Sequence, residues 1–140
     1  CRRADVVVAD PMQVEVVSAT RVVWSGKAIN IIAKTVEGDI GILPGHEPVL
    51  AILVPGAVEV FAQDNSREVI AVDGGFISVA HGRVSILSEY AMLAEEISLR
   101  DAEKELAAAQ ARLDAGEDDD DTRQHFALAS SQLRAAQKLQ

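Results

Sequence analysis

What this sequence lacks narrows its reading before anything present in it does. Its one cysteine, Cys1, excludes an internal disulfide and gives no thiolate set for a metal. Such thiol poverty suits a reducing compartment. Cations are outnumbered: 13 Lys and Arg stand against 22 Asp and Glu, a formal net charge of −9. That balance argues against nucleic acid, whose phosphates need a basic face, and against direct docking on an anionic bilayer. Protein partners stay open. Aromatics make up 4% of the chain, so a core must be built from Val, Ile, Leu and Ala. The longest apolar run, VLAILV at 49–54, is strand-sized and ends at Pro55, far short of the ~20 residues of a membrane span. The opening CRRADVVVADP has too short an apolar stretch, broken by Asp10, to read as a secretory signal. Met12 opens a cleaner pattern, so residues 1–11 read as an N-terminal extension or an expression remnant.

Proline and glycine are also missing from one part of the chain. All four prolines and eight of the nine glycines fall before Ala91, and only Gly116 follows. The hydrophobic period changes at the same place, which predicts two modules, 12–92 and 93–140. In the first, QVEVV (13–17), RVVW (21–24), KAINIIAK (27–34), AVEVFA (57–62), EVIAV (68–72), FISVA (76–80) and RVSIL (83–87) are short and rich in Val and Ile. These residues suit a pleated surface, and a spacing of roughly 8–12 residues with turn signals between indicates an antiparallel sandwich or barrel. QDNS (63–66), DGG (73–75) and HG (81–82) supply the turns.

In the second module Ala102, Leu106, Ala109 and Leu113 form one helical stripe, and Phe126, Ala129, Leu133 and Ala136 form another. Ser98 with Asp101 three residues on resembles a capping box, Gly116 is a plausible stop, and Asp121 is the expected N-cap of the second helix. EDDDD (117–121) then forms the connecting loop. The predicted fold is an all-β sandwich N-terminal domain followed by a C-terminal antiparallel two-helix hairpin, α+β overall. The facing stripes are half alanine, which buries little area. Such a hairpin is a candidate for moving between docked and extended positions.

Nothing in the chain describes an enzyme. His46, His81 and His125 are scattered without ligand-spaced companions, and no G-x-S-x-G, C-x-x-C or H-E-x-x-H occurs. Gly38, Gly41 and Gly45 match neither a dinucleotide fingerprint nor a Walker loop. The aspartates at 118–121 lack the alternating spacing of a calcium loop. No metal or cofactor is expected. Binding is what remains, and GDIGILPGHEP (38–48) is too apolar for an idle loop. It is either a wide turn whose Ile40, Ile42 and Leu43 complete the core, or a rigid loop presenting Asp39, Ile42 and His46 to a partner. Both readings stay open from the residues alone.

WSGKA (24–28), GDIGILPGHEPVLAIL (38–53), VPGAVEV (54–60) and VDGGFISVAHGRVSIL (72–87) together resemble the epsilon subunit of the bacterial F-type ATP synthase, in order and spacing, over roughly 12–140. The resemblance implies a non-catalytic subunit of the central rotor stalk in a proton-translocating machine. Its partners would be the gamma subunit, the c subunits of the membrane ring and, through the C-terminal helices, the alpha/beta catalytic head. Its place would be peripheral, on the cytoplasmic side of the bacterial inner membrane. Carried over by position, Asp39 would face the ring and His46 the gamma subunit, with Ile42 and Pro44 on the same interface. The hairpin would permit ATP hydrolysis when folded back and obstruct it when extended.

Nucleotide-sensing members carry I-D-x-x-R-A where this chain has Ile97-Ser98-Leu99-Arg100-Asp101-Ala102. Asp101 would repel phosphate. Only Arg134 and Lys138, four apart on the second helix, could stand for the family's later basic pair. ATP binding is therefore expected to be weak or absent, and a stand-alone nucleotide-sensing module is the alternative reading.

Overall fold

The computed structural model describes residues 10–64 and 66–138. Nine strands occur among them: β1 (Met12–Val17), β2 (Val22–Thr35), β3 (Gly38–Ile42), β4 (Val49–Leu53), β5 (Gly56–Ala62), β6 (Arg67–Val72), β7 (Gly75–Ala80), β8 (Arg83–Leu87) and β9 (Ala91–Leu93). Their order is β9-β6-β5-β2-β1-β8-β7-β4, with β3 also on β2. All pairings are antiparallel except β1 with β8.

The two expected strands RVVW and KAINIIAK are one 14-residue strand, β2. Ser25 and Gly26 look like punctuation, yet they lie opposite Glu15 and Val14 in the ladder with β1, whose register shifts only between Val16 and Val17. The first half of β2 pairs with β1, and the second half pairs with β5 and β3. Its last residue, Thr35, meets Leu53 of β4. The sheet thus closes on itself as a sandwich, and β2 belongs to both layers. Alternation sets which side chains face inward: Val14 and Val16 are buried while Gln13 and Glu15 are exposed. Ile31, Ile42, Ile70, Ile77 and Ile86 complete a core of branched side chains.

The sheet continues past the composition break. β9 pairs with β6, and a 3-10 turn (Ala94–Glu96) follows it. The expected boundary between 92 and 93 falls inside this strand, and the first helix begins only at Leu99. Three residues are too few to show a period in the sequence. Residues 1–9 of the expected extension lie outside the described residues.

The helices are α1 (Leu99–Asp114) and α2 (Asp120–Lys138). Ser98 caps α1 as expected, its hydroxyl accepting the Asp101 N–H at 3.3 Å. The end of α1 closes at Gly116, with Gly116 N–H on the Leu113 carbonyl and Glu117 N–H on that of Arg112. The cap of α2 is Asp119, two residues before the expected Asp121. Asp119 Oδ1 accepts the Thr122 N–H at 2.8 Å, and its carbonyl accepts that of Arg123. Asp120 and Asp121 consequently fall in the first turn, where negative charge meets the positive end of the helix.

Ala102, Ala109, Ala129 and Ala136 are buried, and the larger members of both stripes are half-buried. His125 Nε2 lies 2.8 Å from Glu105 Oε2, tying the helices together. α2 is the helix that packs on the outer face of β5 and β6.

Candidate functional site

Segment 38–48 is a strand followed by a tight turn. The β2–β3 hairpin is closed by Thr35, whose hydroxyl donates to the Gly38 carbonyl at 2.7 Å and accepts the Glu37 N–H at 3.1 Å. Asp39 follows in β3, exposed and opposite Lys34. Strand alternation then turns Ile42 inward, where it has 0% exposure in the sandwich core. Ile42 therefore presents nothing to a partner, which corrects its expected place on the interface. The chain reverses at Leu43-Pro44-Gly45-His46, with the His46 N–H on the Leu43 carbonyl at 3.1 Å. Pro44 presets the second position and Gly45, at φ +86°, takes the third, the requirements of a type II turn. His46 Nδ1 lies 2.7 Å from the Glu47 carbonyl, which only accepts, so Nδ1 donates. Asp39 and Leu43 are exposed, and Pro44 and His46 are half-exposed. One side of the segment thus completes the core, and the other is surface.

Beside this corner lies an apolar face that the sequence did not disclose. Val36 (61% exposed), Leu50 (71%), Ile52 (51%), Phe76 (48%) and Leu87 (51%) all stand in solvent. The register joins them: Ile52 is opposite Phe76, Phe76 is opposite Leu87, and the Val36 N–H bonds the Ile52 carbonyl. Leu50, two residues from Ile52, shares its face. Gly75 permits this arrangement. It sits at φ +105°, and an added Cβ would fall 2.0 Å from the Leu87 carbonyl oxygen. Only glycine fits there, so the GGF motif brings β7 close to β8 just before Phe76. A run with apolar residues at both odd and even positions, as in VLAILV, was the available sign of a strand apolar on both faces.

The helical candidates fall elsewhere. A cleft of about 220 Å³ beside the start of α1 is lined by Glu96, Asp101 and Glu105 together with Ser98 and Gln132. Arg134 and Lys138 instead line a separate cleft of about 280 Å³ against Lys34 and Ala57. Arg134 Nη1 donates to the Pro55 carbonyl at 3.4 Å, and Lys138 Nζ is 3.8 Å from Glu59. The two cations are thus directed at the sandwich and not at the Ser98–Ala102 turn. Near the same junction, burial holds the Glu68 carboxyl above its usual range, and the charge of Glu95 adds to the effect. Among the described residues no His, Cys, Asp and Glu cluster could hold a metal ion, and no helix is long and apolar enough to cross a membrane.

Residues 11–94 match the family model of the ATP synthase delta/epsilon chain, beta-sandwich domain. ATP synthase epsilon chains are similar over nearly the whole length. That of Cutibacterium acnes is 44% identical over 134 residues, covering 90% of this chain and 92% of the relative. That of Thermobifida fusca is 48% identical over 132 residues, covering 92% and 94%. In fold, a chain of the Euglena gracilis mitochondrial ATP synthase (OSCP/F1/c-ring, rotational state 1) superposes with a TM-score of 0.73 at 24% identity, covering 99% of this chain and 86% of that one. Taken with a nine-stranded sandwich and a two-helix hairpin, these matches show that the chain belongs to the ATP synthase epsilon chain family.

Proposed function

We propose that the chain is a non-catalytic subunit of the central stalk, seated on a gamma subunit through the face formed by Val36, Leu50, Ile52, Phe76 and Leu87. That exposed apolar face is the observation carrying the reading. Five large apolar side chains gathered on one sheet face are costly to leave in water and mark a protein contact. The turn at Pro44 and His46 extends the contact, and Asp39 on β3 faces the polar loops of the membrane ring. Attachment to the membrane is peripheral, through the complex, on the cytoplasmic side. The hairpin is the regulatory element, folded on the sandwich when hydrolysis is permitted and extended toward the alpha/beta head when it is restrained. ATP binding is weak or absent, because Arg134 and Lys138 are directed at the sheet and carboxylates line the cleft beside Ser98.

The decisive experiment is co-purification with the gamma subunit. Phe76→Asp and Ile52→Asp change exposed residues, so the sandwich should still fold while the complex is lost. Wild-type affinity in both variants would remove the proposed contact. For the regulatory half, ATP hydrolysis by the assembled enzyme is compared with the chain intact and truncated after Glu96, and equal rates would refute restraint by the helices.

A further inference from the structure

α2 is held to the sandwich by apolar and polar contacts of unequal strength. The apolar cluster consists of Ala57, Val69, Ala71, Ala94 and Ala135, with Ile97 against it. Alanine removes little apolar area from water, so this layer contributes little per residue. Polar contacts occur at three places along the helix. Gln132 Nε2 donates to the Tyr90 hydroxyl at 2.6 Å, and Arg134 reaches the Pro55 carbonyl. At the last turn Arg67 Nη2 donates to the Lys138 carbonyl at 2.5 Å, while its Nη1 lies 3.4 Å from Glu59 Oε1. Lys138 Nζ approaches the other oxygen of Glu59 at 3.8 Å.

We infer that Glu59, Arg67 and the last turn of α2 form an ionic clasp that sets how readily the hairpin leaves the sheet. The inference rests on the proposed reading that the hairpin moves. Carbonyls of a helix's last turn have no partner inside the helix and carry its negative end, so Arg67 gains a favourable acceptor only while α2 is docked. Glu59 is the shielded member, its side chain 14% exposed, and it serves both cations. Its first partner, Arg67, belongs to the neighbouring strand β6, whose pairing with β5 does not involve the helix. When α2 departs, Glu59 keeps Arg67, and no carboxylate is stranded without a countercharge. The clasp can therefore open without the penalty that breaking a buried ion pair brings. Arg67 and Lys138 are 38% and 40% exposed, so dissolved ions reach the contact and weaken it.

Hydrogen exchange of the intact chain, read by mass spectrometry, tests this. Arg67→Met keeps the alkyl stem and removes both bonds. Exchange in α1 and α2 should then rise about tenfold, the scale of a lost charge-assisted bond, with sandwich amides unchanged. Glu59→Gln spares the bond from Arg67 to the helix end and should give a smaller rise. Molar salt should accelerate hairpin exchange in the wild-type chain and have little further effect in Arg67→Met. Helices exchanging at the wild-type rate in Arg67→Met, or sandwich amides accelerating in parallel, would overturn the clasp. Loss of gamma binding by the wild-type chain would count against the stalk reading alone, since the exchange measurement needs no partner.

Discussion

Between the sandwich layers, Ile31, Ile42, Ile70, Ile77 and Ile86 are each fully buried, whereas under α2 the buried apolar residues are mostly alanines. β5 and β6 carry both kinds at once. Val58, Val60, Ile70 and Val72 point into the sandwich, while Ala57, Val69 and Ala71 lie beneath the helix. Strand alternation lets one pair of strands serve a cohesive core on one side and a thin docking layer on the other. The difference teaches how a chain of this size can hold one element tightly and another through a thin layer on the same pair of strands. Side-chain volume on alternate positions is enough.

The largest break in that comparison should come from Ile42→Ala. It removes a fully buried side chain from the thick core and should cost about 2–5 kcal/mol of global stability, read by denaturant unfolding of the whole chain. Near-neutral behaviour would mean that Ile42 is a surface residue after all. Ala135→Gly acts on the thin layer, removing one methyl and adding glycine to a helix. A loss of about 1–2 kcal/mol is expected, seen in the exchange of hairpin amides and not in the sandwich. Equal loss in both regions would show that the two layers unfold as one. Asp119→Ala deletes the α2 cap and should speed hairpin exchange in the same local readout, by less than Ala135→Gly does. Asp121→Ala should cost less, since Asp121 makes no cap.

The smallest effect has the opposite sign. Because the Glu68 carboxyl is raised by burial and by Glu95, the folded chain holds its proton more tightly than the unfolded chain. Stability attributable to this group therefore falls as pH rises from the ordinary carboxylate range through the raised value, and the penalty is fully present at neutral pH. Glu68→Gln should stabilise the chain at pH 7 by about 0.5 kcal/mol or less, given solvent screening. The gain should vanish in acid, below the ordinary carboxylate range, and thermal unfolding at the two pH values measures it.

Much of the fold was legible because periodicity records it. The alternation in QVEVV and the stripes through Leu106 and Phe126 each specify an element and the face it buries. Ser98 and Gly116 likewise mark the ends of α1 through local bonding. What escaped needed information from distant strands. β9 is too short for a period, and its place on β6 follows from pairing alone. The inward direction of Ile42 depends on the β2–β3 register, and the face around Phe76 depends on three strands coming together. Asp39, Pro44 and His46 could be placed at a corner from glycine and proline spacing. The larger surface next to them could not, because its residues look like core when read one after another.

One consequence of β2 concerns mechanics. A load applied to a sandwich usually crosses from sheet to sheet through side-chain contacts, which can slip. Here the same fourteen residues run through both layers, so part of any twist is carried by covalent backbone. A torque applied to this sandwich would be borne by one stiff piece, and the helices fastened to its outside would yield first.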